Sequence, residues 1–172
     1  MKTLTSLCKN KILSTILFIV FCSQSNAQSF YPTTKVNSVV LENEDSTLHK
    51  LIYASIPTIF LNNGKEVEVK EQAIRIVCDM NSSELLNAVS AQCKGVKIIC
   101  IKIENVEDMK RVIKAFSFAG FENLKYICFL SSINPCYEST DNETCEAEKF
   151  SALIDGNLLP GVRILYTVNT NE

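Results

Sequence analysis

From residue 73 onward, apolar positions recur in four short runs with one layout. They are Ile74-Arg75-Ile76-Val77-Cys78, Val96-Lys97-Ile98-Ile99-Cys100, Leu124-Lys125-Tyr126-Ile127-Cys128 and Val162-Arg163-Ile164-Leu165-Tyr166. Each places a basic residue second and a Cys or Tyr fifth, and successive runs are offset by 22, 28 and 38 residues. All are apolar on both parities, the pattern of strands covered on both faces.

The intervals read as helices. Asn81 followed by Glu84 makes a start resembling a capping box, with Leu85, Leu86 and Val89 on one face. Asn105 and Asp108 repeat it ahead of Met109, Val112, Ile113 and Phe116, a stripe at i, i+3, i+4 and i+7 that Gly120 would end. A third helix is expected over residues 143–154, with Phe150, Leu153 and Ile154 inward and Gly156 beyond its end.

Strand and helix alternating in this way predict an α/β fold with a mostly parallel sheet of about four strands and three intervening helices. An open sandwich is the preferred architecture. A short βα solenoid resembling leucine-rich repeats is the alternative, because two of the offsets suit such repeats although the L-x-x-L-x-L spacing is missing.

Upstream the pattern weakens. Residues 28–57 read as a leader and a poorly defined segment, with a short strand expected near 35–41 and a short helix started by Thr47. Residues 58–61 and 66–69 flank Asn62-Asn63-Gly64 and predict an N-terminal β-hairpin. A single domain over 58–172 follows.

Residues 1–27 have the layout of a secretory signal peptide. Lys2, Lys9 and Lys11 precede an apolar run over 12–22, and small residues lead to a cleavage point between Ala27 and Gln28. The run is shorter than the roughly 20 residues needed to span a bilayer. Cleavage would leave 145 of the 172 residues, exported to the periplasm or the extracellular space, with no membrane insertion afterwards. That remainder carries 14 basic and 19 acidic residues, a net charge of −5 that argues against a nucleic-acid partner.

Six cysteines remain after cleavage. Cys136 and Cys145 flank a polar loop and are the disulfide candidates. Cys78, Cys100 and Cys128 hold equivalent places in three runs, so a buried thiol ladder on one face is expected. Cys93 has no evident partner. No C-x-x-C occurs and His49 stands alone, so neither a metal site nor a cofactor is expected.

Arg75, Lys97, Lys125 and Arg163 would line one sheet edge, where their stems can cover the core and their charges reach water. Ligands of open α/β sheets bind at the opposite, carboxyl edge. Asp79, Glu104, Ser131 and Asn134 fall there and are the ligand-binding candidates, although helix caps need the same residue types. Neither a nucleophile elbow nor a phosphate loop is present. The leading expectation is a non-catalytic binding or interaction module for a protein or small molecule. The alternative is a small exported hydrolase with a polar site at the carboxyl ends of the strands.

Overall fold

Isoleucine, valine and cysteine dominate the four runs, and these residues suit a pleated surface buried on both sides. In the computed structural model, which describes residues 33–36, 46–62 and 72–169, all four form strands. In chain order the elements are β1 (Thr33–Lys35), α1 (Ser46–Tyr53), β2 (Thr58–Leu61), β3 (Arg75–Asp79), a 3-10 turn (Asn81–Leu85) leading into α2 (Leu86–Ser90), and β4 (Ile98–Ile103). There follow a 3-10 turn (Asp108–Lys110), β5 (Ile113–Lys114), a 3-10 turn (Ala115–Phe118), β6 (Tyr126–Ser131), α3 (Asn142–Ser151), β7 (Ile154–Asp155) and β8 (Arg163–Val168).

The fold is α/β. Among the described residues six strands form one sheet in the order β1-β8-β6-β4-β3-β2, and every pairing is parallel. The sheet thus exceeds the expected four strands by β1 and β2, one at each edge. Segment 28–57, read as a leader followed by a short strand near 35–41 and a helix started by Thr47, supplies β1 at 33–35 and α1 over 46–53, while residues 37–41 lie outside the described residues. Of the expected hairpin, the first arm is β2, which pairs parallel with β3. The second arm, 66–69, lies outside the described residues.

From β2 to β8 the main-sheet strands lie side by side in chain order. The connections from β3 to β4, β4 to β6 and β6 to β8 all pack on one face. There Leu86, Phe118, Phe121, Phe150 and Leu153 meet Ile76, Ile99, Ile101, Ile127 and Phe129. On the opposite face Leu48, Leu51 and Ile52 of α1 cover Val77, Ile98, Cys100, Cys128 and Leu165. The connection from β1 to β2, α1, therefore lies on the face opposite the other three, so connections cover both faces of the sheet, as the expected open sandwich requires.

All three expected helices differ in part from the structure. The Asn81–Ser90 region is helical but begins with a 3-10 turn, and Asp79 caps it in place of Asn81. The stripe over 109–116 is not a helix. Asp108–Lys110 is one turn, and Ile113–Lys114 then extends to pair with Ile154–Asp155 in a second, two-stranded sheet. Burial over 112–116 alternates, with Ile113 and Ala115 inside and Val112, Lys114 and Phe116 outside. That is the strand period, which a short apolar run cannot distinguish from the helical one. The third helix ends at Ser151, and Ile154 belongs to β7.

Candidate functional site

The four residues expected at the carboxyl edge are held in local turns. Asp79 Oδ1 accepts the Ser82 N–H at 2.6 Å. The Glu104 N–H donates to Asp108 Oδ2 at 2.9 Å, and the Glu104 side chain is exposed. Ser131 is buried, and its hydroxyl donates to Ile133 O at 2.7 Å. Asn134 Oδ1 accepts the Cys136 N–H at 2.8 Å. Asn105 and Asp108 form a reciprocal capping box, each carboxamide or carboxylate oxygen accepting the other's N–H at 3.1 and 3.2 Å. Ligand crevices open where the winding changes direction and face; here that is between β1 and β8, and none of the four residues lies on either strand.

The basic edge is also structural at its best-defined point. Arg75 Nη1 donates to Leu51 O and Ile52 O at 3.1 and 2.6 Å, and its Nε donates to Thr58 Oγ1 at 3.1 Å. The guanidinium therefore satisfies carbonyls at the end of α1 that the helix itself cannot.

The thiols divide between the two faces. Cys100 and Cys128 are register partners beneath α1. Cys78 pairs with Ile101, one position out of step, and points into the opposite core. The expected three-rung ladder is thus two rungs and a separate thiol, because β3 enters the sheet one residue earlier relative to its cysteine than β4 and β6 do. Burial pushes the Cys78 thiol well up, reinforced by the Asp79 carboxylate and by the neighbouring Cys100. Cys128 is held up first by its hydrogen bond with Cys100 and then by burial. Such thiols pack as small hydrophobes and are poor nucleophiles.

Cys136 and Cys145 stand at disulfide distance and tie the loop that precedes α3 to the first turn of that helix. Asp141, inside that loop, caps α3 by accepting the Thr144 N–H at 3.1 Å, and this hydrogen bond lowers its pKa. His49 lies exposed on α1 with its ring 5.2 Å from Tyr53. Among the described residues no group of His, Cys, Asp and Glu could hold a metal ion.

An open cleft of about 470 Å³ lies on the face that carries the connections. Met80, Ser83, Glu84 and Asn87 form one wall. Residues 111–114 with Phe116 and Ser117 form the other. None of the four carboxyl-edge candidates lines it. Val112 is 53% exposed and Phe116 64% exposed, so the cleft offers apolar surface that the chain leaves uncovered. Reading 109–116 as a helical stripe turns both side chains inward and hides this feature. The alternation from Val112 to Phe116 is the signal that could have revealed it.

Comparison with protein-family models, with curated proteins and with solved structures finds no match to this chain.

Proposed function

We propose that the protein is an exported, non-catalytic binding module whose ligand occupies the cleft between Asn81–Ser90 and residues 111–117. One observation carries this reading: Val112 and Phe116 are both exposed in the lining of a formed cleft. Exposed apolar surface in a concavity with a few polar groups is the usual character of a ligand site. Ser83, Glu84 and Asn87 supply the polar groups here. The hydrolase alternative draws less support, since the Asp79, Ser131 and Asn134 side chains already serve local hydrogen bonds.

Export is supported by the signal-like segment over 1–27 and by the cysteine pair at disulfide distance. No described helix is long and apolar enough to cross a membrane.

The test is a titration of isotopically labelled protein with a library of small aromatic and aliphatic carboxylates and amides, read from backbone amide signals. Saturable shifts confined to Ser83, Glu84, Asn87 and residues 112–117 are expected. Saturable binding elsewhere with none in the cleft, or turnover of hydrolase substrates, would overturn the reading. The intact mass of the exported protein checks processing, with Gln28 expected as its first residue.

A further inference from the structure

We infer that the cleft takes an extended acidic peptide, which adds as a strand to the open edge of β5. The inference rests on the cleft being a binding site and goes further by naming the ligand class.

The backbone carries the argument. The Ile113 N–H donates to Leu153 O at 2.8 Å, and Ile113 and Lys114 are register partners of Ile154 and Asp155. Backbone groups of neighbouring residues in a strand point to opposite sides. With Ile113 turned toward β7, the N–H and C=O of Val112 and the N–H of Lys114 are turned away from it, and both residues line the cleft; the Lys114 C=O instead starts the 3-10 turn Ala115–Phe118. Among the described residues β5 pairs with β7 alone. The connections stack in chain order, so the place of a third strand beside β5 falls to the preceding connection. That connection is helical, Asn81–Leu85 followed by Leu86–Ser90, and offers β5 no strand. An open edge beside a formed cleft is the arrangement by which extended peptides are bound through main-chain hydrogen bonds.

Side chains select the sequence. Val112 and Phe116 offer apolar contacts outside the ladder, so apolar residues at alternate peptide positions would pack there. Arg111 and Lys114 line the cleft against Glu84 as its one acidic residue. Lys114 is paired with Asp155, whereas Arg111 has no ion pair among the described residues. An Arg in the lining beside an open strand edge can pair with a carboxylate on the peptide.

The test uses a phage-displayed library of random dodecapeptides selected on the disulfide-intact exported protein and counter-selected on Val112→Pro. Proline removes one cleft-facing N–H. The preceding Arg111, at φ −90° and ψ 148°, already has the extended conformation that a following proline requires. Enriched peptides are expected to alternate apolar residues and to carry an Asp or Glu. A synthetic copy should bind about tenfold more weakly to Val112→Pro, the loss expected for one backbone hydrogen bond. It should also weaken for Arg111→Ala, and changing the peptide's acid to its amide should abolish that sensitivity. A synthetic copy N-methylated at alternate residues gives a readout independent of how Val112→Pro folds. One of the two N-methyl registers should lose binding to the unaltered protein.

No enrichment over the counter-selection, or equal binding by both N-methyl registers, would overturn strand addition. If small carboxylates still shift the cleft amides while peptides fail, this inference falls and the binding reading stands. If neither binds, both fall.

Discussion

Lys35 and Glu146, 111 residues apart in sequence, meet with Nζ 2.8 Å from Oε2. The Glu146 side chain is 2% exposed and that of Lys35 32%, so a buried carboxylate depends on a cation that still reaches water. Lys35 ends β1, a strand of only three residues, and Glu146 lies in the second turn of α3. The pair therefore fastens β1 to the body of the domain. Losing one partner of a fully buried pair costs about 3–5 kcal/mol, and partial exposure of Lys35 reduces this to roughly 1–3 kcal/mol for Lys35→Met. Adding Glu146→Gln should recover much of the loss, because no charge is then left buried. Urea unfolding of the four proteins of this cycle measures it. Additive losses would show that the two residues are not coupled.

Gly120 is held by close approach and not by a left-handed backbone. A Cβ placed there would stand 2.2 Å from Ser90 Oγ and 2.7 Å from Ser90 Cβ. Ser90 is buried at the end of α2 and its hydroxyl donates to Asn87 O, so it has little room to move. Gly120→Ala should cost about 1–3 kcal/mol by overpacking. Ser90→Gly removes both clashing atoms and should restore part of that loss in the double variant. Thermal unfolding measures both, and an unchanged midpoint for Gly120→Ala would contradict the contact.

Stability should fall on the alkaline side. In the folded protein Cys78 is raised by burial, then by Asp79 and Cys100. Tyr166 is raised by burial, then by Glu146 and Glu143. Unfolding returns these groups to about 9.0 and 10.0. Below the lower value both states hold their protons, and the contribution is fully present. As pH rises the unfolded chain releases protons that the folded one keeps, so stability is lost progressively toward the raised folded values. The urea midpoint should be level near neutrality and decline above roughly pH 9. Cys78→Ala should soften the start of that decline. A midpoint independent of pH up to about 11 would show that these groups do not hold their protons in the fold.

The strands were legible because short runs apolar on both parities and rich in β-branched residues suit a sheet covered on both faces, and all four expected runs lie in the sheet. Registers were not. Placing Cys78 beside Cys100 treats the runs as equivalent, yet Arg75 pairs with Ile98 and a one-residue offset sends Cys78 to the other face. The direction of winding was also hidden, since the same strand–helix order can cover one face or two. Leu48, Leu51 and Ile52 of α1 decide the matter by occupying the second face, and they lie in a segment of weak local pattern. The cleft was illegible for a related reason. Val112, Ile113 and Phe116 satisfy the helical period, and only pairing of β5 with β7 selects the extended form.

The Cys136–Cys145 link joins two of these stabilising features. It closes a loop with a sequence separation of 9, and the residue after Cys145 is Glu146. Breaking the link with Cys136→Ala and Cys145→Ala together should cost about 2–3 kcal/mol through the freedom returned to the unfolded loop. Because the loop also carries Asp141, the cap of α3, its release should loosen the first turns of that helix and with them the position of Glu146. The carboxylate would then gain access to water and depend less on Lys35. The cost of Lys35→Met is therefore expected to shrink, by about 0.5–1 kcal/mol, when measured without the disulfide. Urea unfolding of the unaltered, Lys35→Met, alanine-paired and combined proteins gives this coupling directly. An undiminished cost of Lys35→Met would mean that α3 keeps its first turns without the cross-link, and that the two fastenings act independently.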